Sequence, residues 1–479
     1  KMKKIITILS LFAVVLSCKE KVKKEENNVI VEKEPIAVTE VMEDGVIYEA
    51  NIRQYSPEGT FNAFTKDIPV LKKLGVKVIW VMPINPISKI KRKATDGQFT
   101  SDIKDEEERK KYLGSYYSVS DYKAINPEFG TFDDFKNMVT TAHDNNILVI
   151  VDWVPNHTGW DHPWIKDHPE YYTQNEKGEI IDPINPETGE SWGWTDVADL
   201  NYDNEEMRKE MISDMKFWVE KADIDGFRMD VAHKVPADFF NTAIKEMKTV
   251  KPVFMLAEAE QPDLLQNGFD MQYGWEAHHI LNEIAKGEAN VAKFDAYMVK
   301  LDSTLEADDI NMNFVTNHDE NSWNGTLLER MPNNKEVFTA LTYAMPGMPL
   351  IYSGQEYDME HRLRFFEKDT IPKTKGEYFT LLEKLGELKN TNPALNGGKD
   401  AAKYTRISTS NNETTLAFKR DKDGETVYFI ANLSDKEQEA TIALTGDFTD
   451  YISNTAFKID EKVALKLAPW EYHILIAKK

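Results

Sequence analysis

From Val46 onward the chain alternates short apolar runs with stretches of helical periodicity. Eight runs read as strands: VIYEANI (46–52), VKVIWVMPI (76–84), NILVIVDWV (146–154), DGFRMDV (225–231), VFMLAEA (253–259), FDMQYGW (269–275), NMNFVTN (311–317) and PLIYSGQ (349–355). They are rich in β-branched and aromatic residues, which favour strands. Helical signals stand between most of them. Pro69 suits a first helical position, and Gly75 closes that helix after Leu71 and Leu74. Thr131 caps a helix with Asp134 three residues on, and Phe132, Phe135, Val139 and Ala142 mark its buried face. Met207, Met211, Met215, Trp218 and Ala222 form another apolar stripe. Eight strand–helix units predict an α/β fold, a (β/α)8 TIM barrel over residues 44–394.

Two regions break this rhythm. Between Asn156 and Asn204 runs a connection rich in Pro, Gly, Asp and Trp, too long for a plain strand-to-helix loop. It predicts a loop-rich subdomain, residues 157–203, inserted after the third strand. Trp153, Trp160, Trp164, Trp192 and Trp194 fall in or beside it, and some should face a ligand, since sugar rings stack on aromatic faces. After about residue 394 the pattern becomes TTLAFKR (414–420), ETVYFIANL (425–433), EATIAL (439–444) and YHILIAK (472–478), with Asp423-Gly424 as a hairpin turn. This predicts a C-terminal antiparallel β-domain over 395–479.

Composition narrows the function. The 479 residues suffice for one large and one small domain. A formal charge of −23 excludes nucleic acid as a partner, because its phosphates would be repelled. Lys3 and Lys4 precede an apolar run from Ile5 to Leu16, then Ser17 and Cys18. Residues 1–18 read as a signal peptide ending in a lipobox, with Cys18 the lipidation site. Residues 19–43, rich in Lys, Glu and Val, read as a flexible tether. The expectation is an exported lipoprotein held at the cell envelope by its lipid, with no cysteine left for catalysis or a disulfide.

Candidate chemistry lies where four apolar runs end: DWVPNH (152–157), GFRMD (226–230), LAEAE (256–260) and FVTNHDE (314–320). In a parallel barrel the polar ends of strands build the active site. Asp152, Asp230, Glu258 and Asp319 would meet there with Arg228, His157 and His318. Arg228 and Asp230 are two apart and share one face of a strand, so the guanidinium is expected to keep Asp230 ionised. An apolar run before Glu258 would favour its protonated form. A retaining glycosidase needs that pair: one carboxylate attacks, one acid protonates the leaving oxygen. The two histidines could instead be core residues or metal ligands.

The four segments, in order, resemble the four sequence regions of the α-amylase family of glycoside hydrolases, family 13, over about residues 44–479. The resemblance implies that Asp230 is the nucleophile, Glu258 the general acid and base, and Asp319 the third acid, which grips sugar hydroxyls. It also implies that Arg228 orients Asp230, that His157 and His318 bind the same sugar, and that Tyr117 in YYSVSDY stacks on it. Asp152 and Asn156 would be mainly structural. No cofactor is needed for the chemistry. A structural Ca²⁺ between barrel and insertion would use Asn156, Asp199 and a carbonyl at Lys234, where calcium-binding relatives often carry histidine. Ala257 and Glu260 depart from the common third region. The implied activity is retaining hydrolysis of α-1,4-glucosidic bonds in starch-like glucans or maltooligosaccharides. An exo-acting α-glucosidase or maltogenic enzyme, a transglycosylase, and a non-catalytic glycan-binding protein remain alternatives. The sequence leaves the oligomeric state open.

Overall fold

All eight expected strands close into one parallel barrel in chain order. They are β1 (Val46–Ala50), β2 (Val76–Val81), β3 (Leu148–Trp153), β4 (Gly226–Met229), β5 (Phe254–Ala257), β6 (Met271–Tyr273), β7 (Ile310–Asn313) and β8 (Met348–Tyr352). The computed structural model describes residues 36–477. The signal peptide, Cys18 and most of the tether lie outside the described residues. Closure is made by β1 pairing with β8, Ile47 opposite Leu350.

The period of two along each strand sorts side chains to two sides. Ile47, Val78, Leu148, Ile150, Phe254, Leu256, Met312 and Leu350 fill the barrel interior. One step further along the same inward-facing rows stand Glu49, Trp80, Asp152, Arg228 and Glu258. The polar site is thus the continuation of the core pattern beyond the C-terminal ends of the strands. Gly226 begins the row that continues to Arg228: a Cβ there would sit 1.9 Å from the Phe254 carbonyl oxygen, and its φ is +144°.

At the opposite end, α1 (Val38–Asp44) lies beneath the barrel. Its Val41 and Met42 are buried in the cluster that fills the barrel, with Ile36 and Val38 packed against it. Thr131 caps α2 (Phe132–Asp144) in a full capping box with Asp134, as the spacing predicts. In α3 (Glu205–Ala222) the methionine stripe is buried.

Inside the expected insertion, His157–Gly159 pairs with Val197–Asp199, and a short helix spans Pro163–Asp167. Trp153 and Trp164 are buried, whereas Trp192 is exposed. A second long connection, between β2 and α2, was not apparent from the sequence. It holds short turns and carries Tyr117.

The C-terminal sheet has six strands: β9 (Lys403–Arg406), β10 (Thr415–Lys422), β11 (Glu425–Asn432), β12 (Gly446–Asp450), β13 (Thr455–Ile459) and β14 (Tyr472–Ala477), in the order β9-β10-β11-β14-β12-β13. Asp423 and Gly424 both take positive φ, +52° and +81°, as a two-residue hairpin turn requires. The run 439–444 does not form a full strand. Gln438–Ala440 pairs with Leu465–Leu467, and Ile442 makes a lone antiparallel bridge to Thr409. Buried Arg420 docks this domain on the barrel by donating to Ala344 O (3.0 Å).

Candidate active site

One buried guanidinium organises the barrel mouth. Arg228 Nη1 donates to Asp152 Oδ1 (2.8 Å) and to Asp230 Oδ1 (2.9 Å), and Nε donates to Tyr273 OH (3.2 Å). Its Nη2 lies 3.0 Å from Glu258 Oε2, without hydrogen-bond geometry. The ring of Trp80 lies under the guanidinium, 4.9 Å from its carbon. Asp152 Oδ2 accepts from Trp80 Nε1 and from Tyr117 OH, both at 3.2 Å. Asp152 therefore ties the arginine to the aromatic floor and is wholly buried.

Asp230 and Glu258 follow β4 and β5. Burial pushes Asp230 well above the usual carboxylate range, the charge of Glu258 adds to this, and Arg228 opposes it. Arg228 acts in the expected direction, toward the ionised form, while burial and the Glu258 charge act against it. Glu258 Oε2 also accepts the Val231 amide at 2.6 Å. Val231 sits at φ +38°, ψ +46°, a left-handed conformation rare for a β-branched residue.

The two expected histidines differ in charge. Burial drives His157 down to about 3, against a hydrogen bond to the Tyr117 backbone, so it is neutral. Asn156 Nδ2 is 3.1 Å from its Nδ1. Burial also pulls on His318, but Asp319 and Glu49 together prevail and leave it raised to about 9. Its Nδ1 is 2.5 Å from Glu49 Oε1 and its Nε2 is 2.8 Å from Tyr117 OH and 3.4 Å from Asp319 Oδ2. Tyr117 stacks on the imidazole with centroids 5.5 Å apart.

These groups line one cleft of about 320 Å³, bounded by Tyr117, His157, Asp230, Glu258, His318 and Asp319 and walled by aromatic side chains. A cationic imidazole, a buried guanidinium and three acids around an apolar floor suit a neutral polyhydroxylated ligand that gains positive charge in reaction.

The comparisons with known proteins agree with this geometry. The family model "Alpha amylase, catalytic domain" matches residues 38–423, and "Maltogenic Amylase, C-terminal domain" matches residues 404–474. The chain belongs to the α-amylase family of glycoside hydrolases. It is 28% identical over 359 residues to alpha-amylase 3 of Dictyoglomus thermophilum, covering 66% of this chain and 64% of that relative, so it spans less than two thirds of that protein's length. Among solved structures it resembles a noncanonic maltogenic α-amylase from Thermotoga neapolitana (27% identity, 90% of this chain, 98% of the other, TM-score 0.78). It also resembles an α-amylase from Lactobacillus plantarum (26%, 91% and 99%, TM-score 0.77).

Of the residues expected to hold calcium, Asp199 is the one carboxylate, and Asn156 turns its amide nitrogen to His157 Nδ1. Burial raises Asp199 to about 6 against the opposing charge of Lys234, whose ammonium lies 4.0 Å from the centroid of the Trp192 ring. Among the described residues no group of three or more His, Cys, Asp or Glu side chains could hold a metal. Calcium enters no step below. Glu260 turns out to accept the Glu276 amide (2.8 Å) in the first turn of the helix Trp275–Ala285, so it supports that helix terminus.

Sequence reasoning missed Glu49, Trp80, Tyr273, Trp323 and Phe365. For Glu49 a signal existed: it is the one charged residue in the apolar run VIYEANI. Trp323 and Phe365 lie in connections without periodicity and gave none.

Proposed function

We propose that this protein is a retaining α-glucan hydrolase that cleaves α-1,4-glucosidic bonds in starch-like polymers or maltooligosaccharides. The observation that carries the reading is the single guanidinium of Arg228 in contact with Asp152, Asp230 and Glu258, beside the Tyr117–His318 pair. In this reading Asp230 attacks the anomeric carbon while Glu258 gives its proton to the departing oxygen. A water then breaks the glycosyl–Asp230 ester, and Glu258 takes its proton. The reaction needs Asp230 ionised and Glu258 protonated at the start; the Arg228 guanidinium works toward the first against burial. Glu258 holds the Val231 amide on Oε2, so Oε1 would carry the proton. Asp319 and the cationic His318 would hold hydroxyls of the sugar over Tyr117.

The test is the anomeric form of the first product from maltoheptaose, followed by NMR. The α-anomer appearing first supports retention, and the β-anomer first would sink it. Asp230→Asn should lose at least about 1,000-fold in kcat while still binding the sugar. Binding without cleavage by the unaltered protein would instead favour a glycan-binding role.

Maltogenic, exo-type action is a second reading, favoured by the match of the C-terminal domain. Early release of maltose alone from amylose would support it. Mid-length products would support endo action. Cys18 is further proposed as the lipid attachment site of an exported protein, which mass spectrometry of the mature N-terminus, with Cys18→Ser as control, would check.

A further inference from the structure

Barrel order sets the two ends of the cleft. Asp230 and Glu258 follow β4 and β5, whereas Trp323 and Phe365 follow β7 and β8, and β8 lies across the barrel from β4. The leaving unit belongs beside Glu258, so the β7–β8 side receives the retained, non-reducing part of the glucan. There the Phe365 ring lies within 9° of parallel to Tyr117 with centroids 6.5 Å apart, and Trp323 follows at 5.2 Å from Phe365. All three rings line the cleft. Trp323 is 53% exposed, the most exposed large aromatic among the described residues. An exposed aromatic continuous with a substrate platform is an unfilled contact surface.

The surface is also held rigid. Arg53, itself buried, donates from Nη1 to Gly114 O (3.0 Å) and Phe365 O (3.2 Å). Gln54 Nε2 donates to Arg364 O (2.7 Å) and Glu367 O (2.8 Å). From the other side Asn321 Oδ1 accepts the Leu363 amide at 2.9 Å. The Phe365 loop is thereby latched to the connection after β1 and to the turn that carries Trp323. Fixing a loop before binding lowers the ordering cost of the ligand complex.

Resting on the hydrolase reading above, we propose that Phe365 and Trp323 form the platform for the second glucose unit on the non-reducing side of the cut, with Gln54 a positioning residue for it. The platform makes a disaccharide the shortest well-held glycone.

The test compares kcat/KM for 4-nitrophenyl α-maltoside, whose glycone reaches the platform, and 4-nitrophenyl α-glucoside, whose glycone does not. In Trp323→Ala the maltoside value should fall at least tenfold, mainly through KM, while the glucoside value stays within twofold. Trp323→Phe should restore most of the loss. Gln54→Leu should lower the same ratio without touching the sugar. Equal losses on both substrates, or none, would overturn the platform while leaving the hydrolase reading intact. If the unaltered protein cleaves neither, both substrates are too short for it, maltoheptaose still tests the hydrolase reading, and calorimetry with maltotriose decides the platform. Tenfold weaker binding by Trp323→Ala supports it, and equal binding overturns it.

Discussion

Glu49 Oε1 lies 2.5 Å from His318 Nδ1, so the first barrel strand holds the histidine that follows the seventh. With Asp319 it keeps this buried imidazole charged, raised to about 9. A histidine held above its unfolded value, near 6.5, contributes stability that is complete below pH 6.5 and is lost as pH rises through 9. The loss should be on the order of 3 kcal/mol. Lys389 works against it. Burial pushes that lysine down to about 7, so its contribution improves as pH rises from about 7 toward its unfolded value near 10. The unaltered protein alone will therefore hide the effect. The difference in denaturant stability between it and His318→Gln should shrink from pH 6 to pH 9.5, and a constant difference would mean the imidazole is not charged.

Glu49→Gln removes one of the two charges that hold the imidazolium. Burial, the largest influence on His318, then pulls it down. The alkaline limb of kcat/KM should move to lower pH by about one unit. An unmoved limb would show that another group sets it.

Arg228→Lys tests whether one planar fork is required. A lysine ammonium is a point charge and cannot span Asp152, Asp230 and Tyr273 together. With buried carboxylates left short of a partner, stability should fall by roughly 3 kcal/mol and kcat by at least about 100-fold. Retained activity in a stable variant would mean that charge alone suffices.

Val231→Gly should be nearly neutral in stability, within about 1 kcal/mol, because relief of the left-handed strain offsets the lost side chain and the freer unfolded chain. Thermal denaturation measures this. A loss above about 2 kcal/mol would show that packing of the valine, rather than its backbone, dominates.

The barrel was legible because each strand is a local apolar run with a polar end, and Arg228, Asp230, Glu258 and His318 could be placed from their own neighbours in sequence. What joins them could not. Glu49 and His318 are 269 positions apart, and the contact depends on closure of β1 on β8. Trp323 sits in the turn Glu320–Asn324, and Phe365 in an irregular connection held by hydrogen bonds from Arg53 and Gln54, more than 300 positions away from it. In the C-terminal domain the runs KYTR, GDFTD and TAFKI form strands although their burial is partial, because sheet neighbours rather than their own apolar content hold them.

The short helix Val38–Asp44 stops the barrel from below, with Val41 and Met42 pressed into its base. The polypeptide therefore joins the fold on the face turned away from the cleft. The rim is thereby left to the loops that follow the strands, and this plug takes no part in lining the cleft.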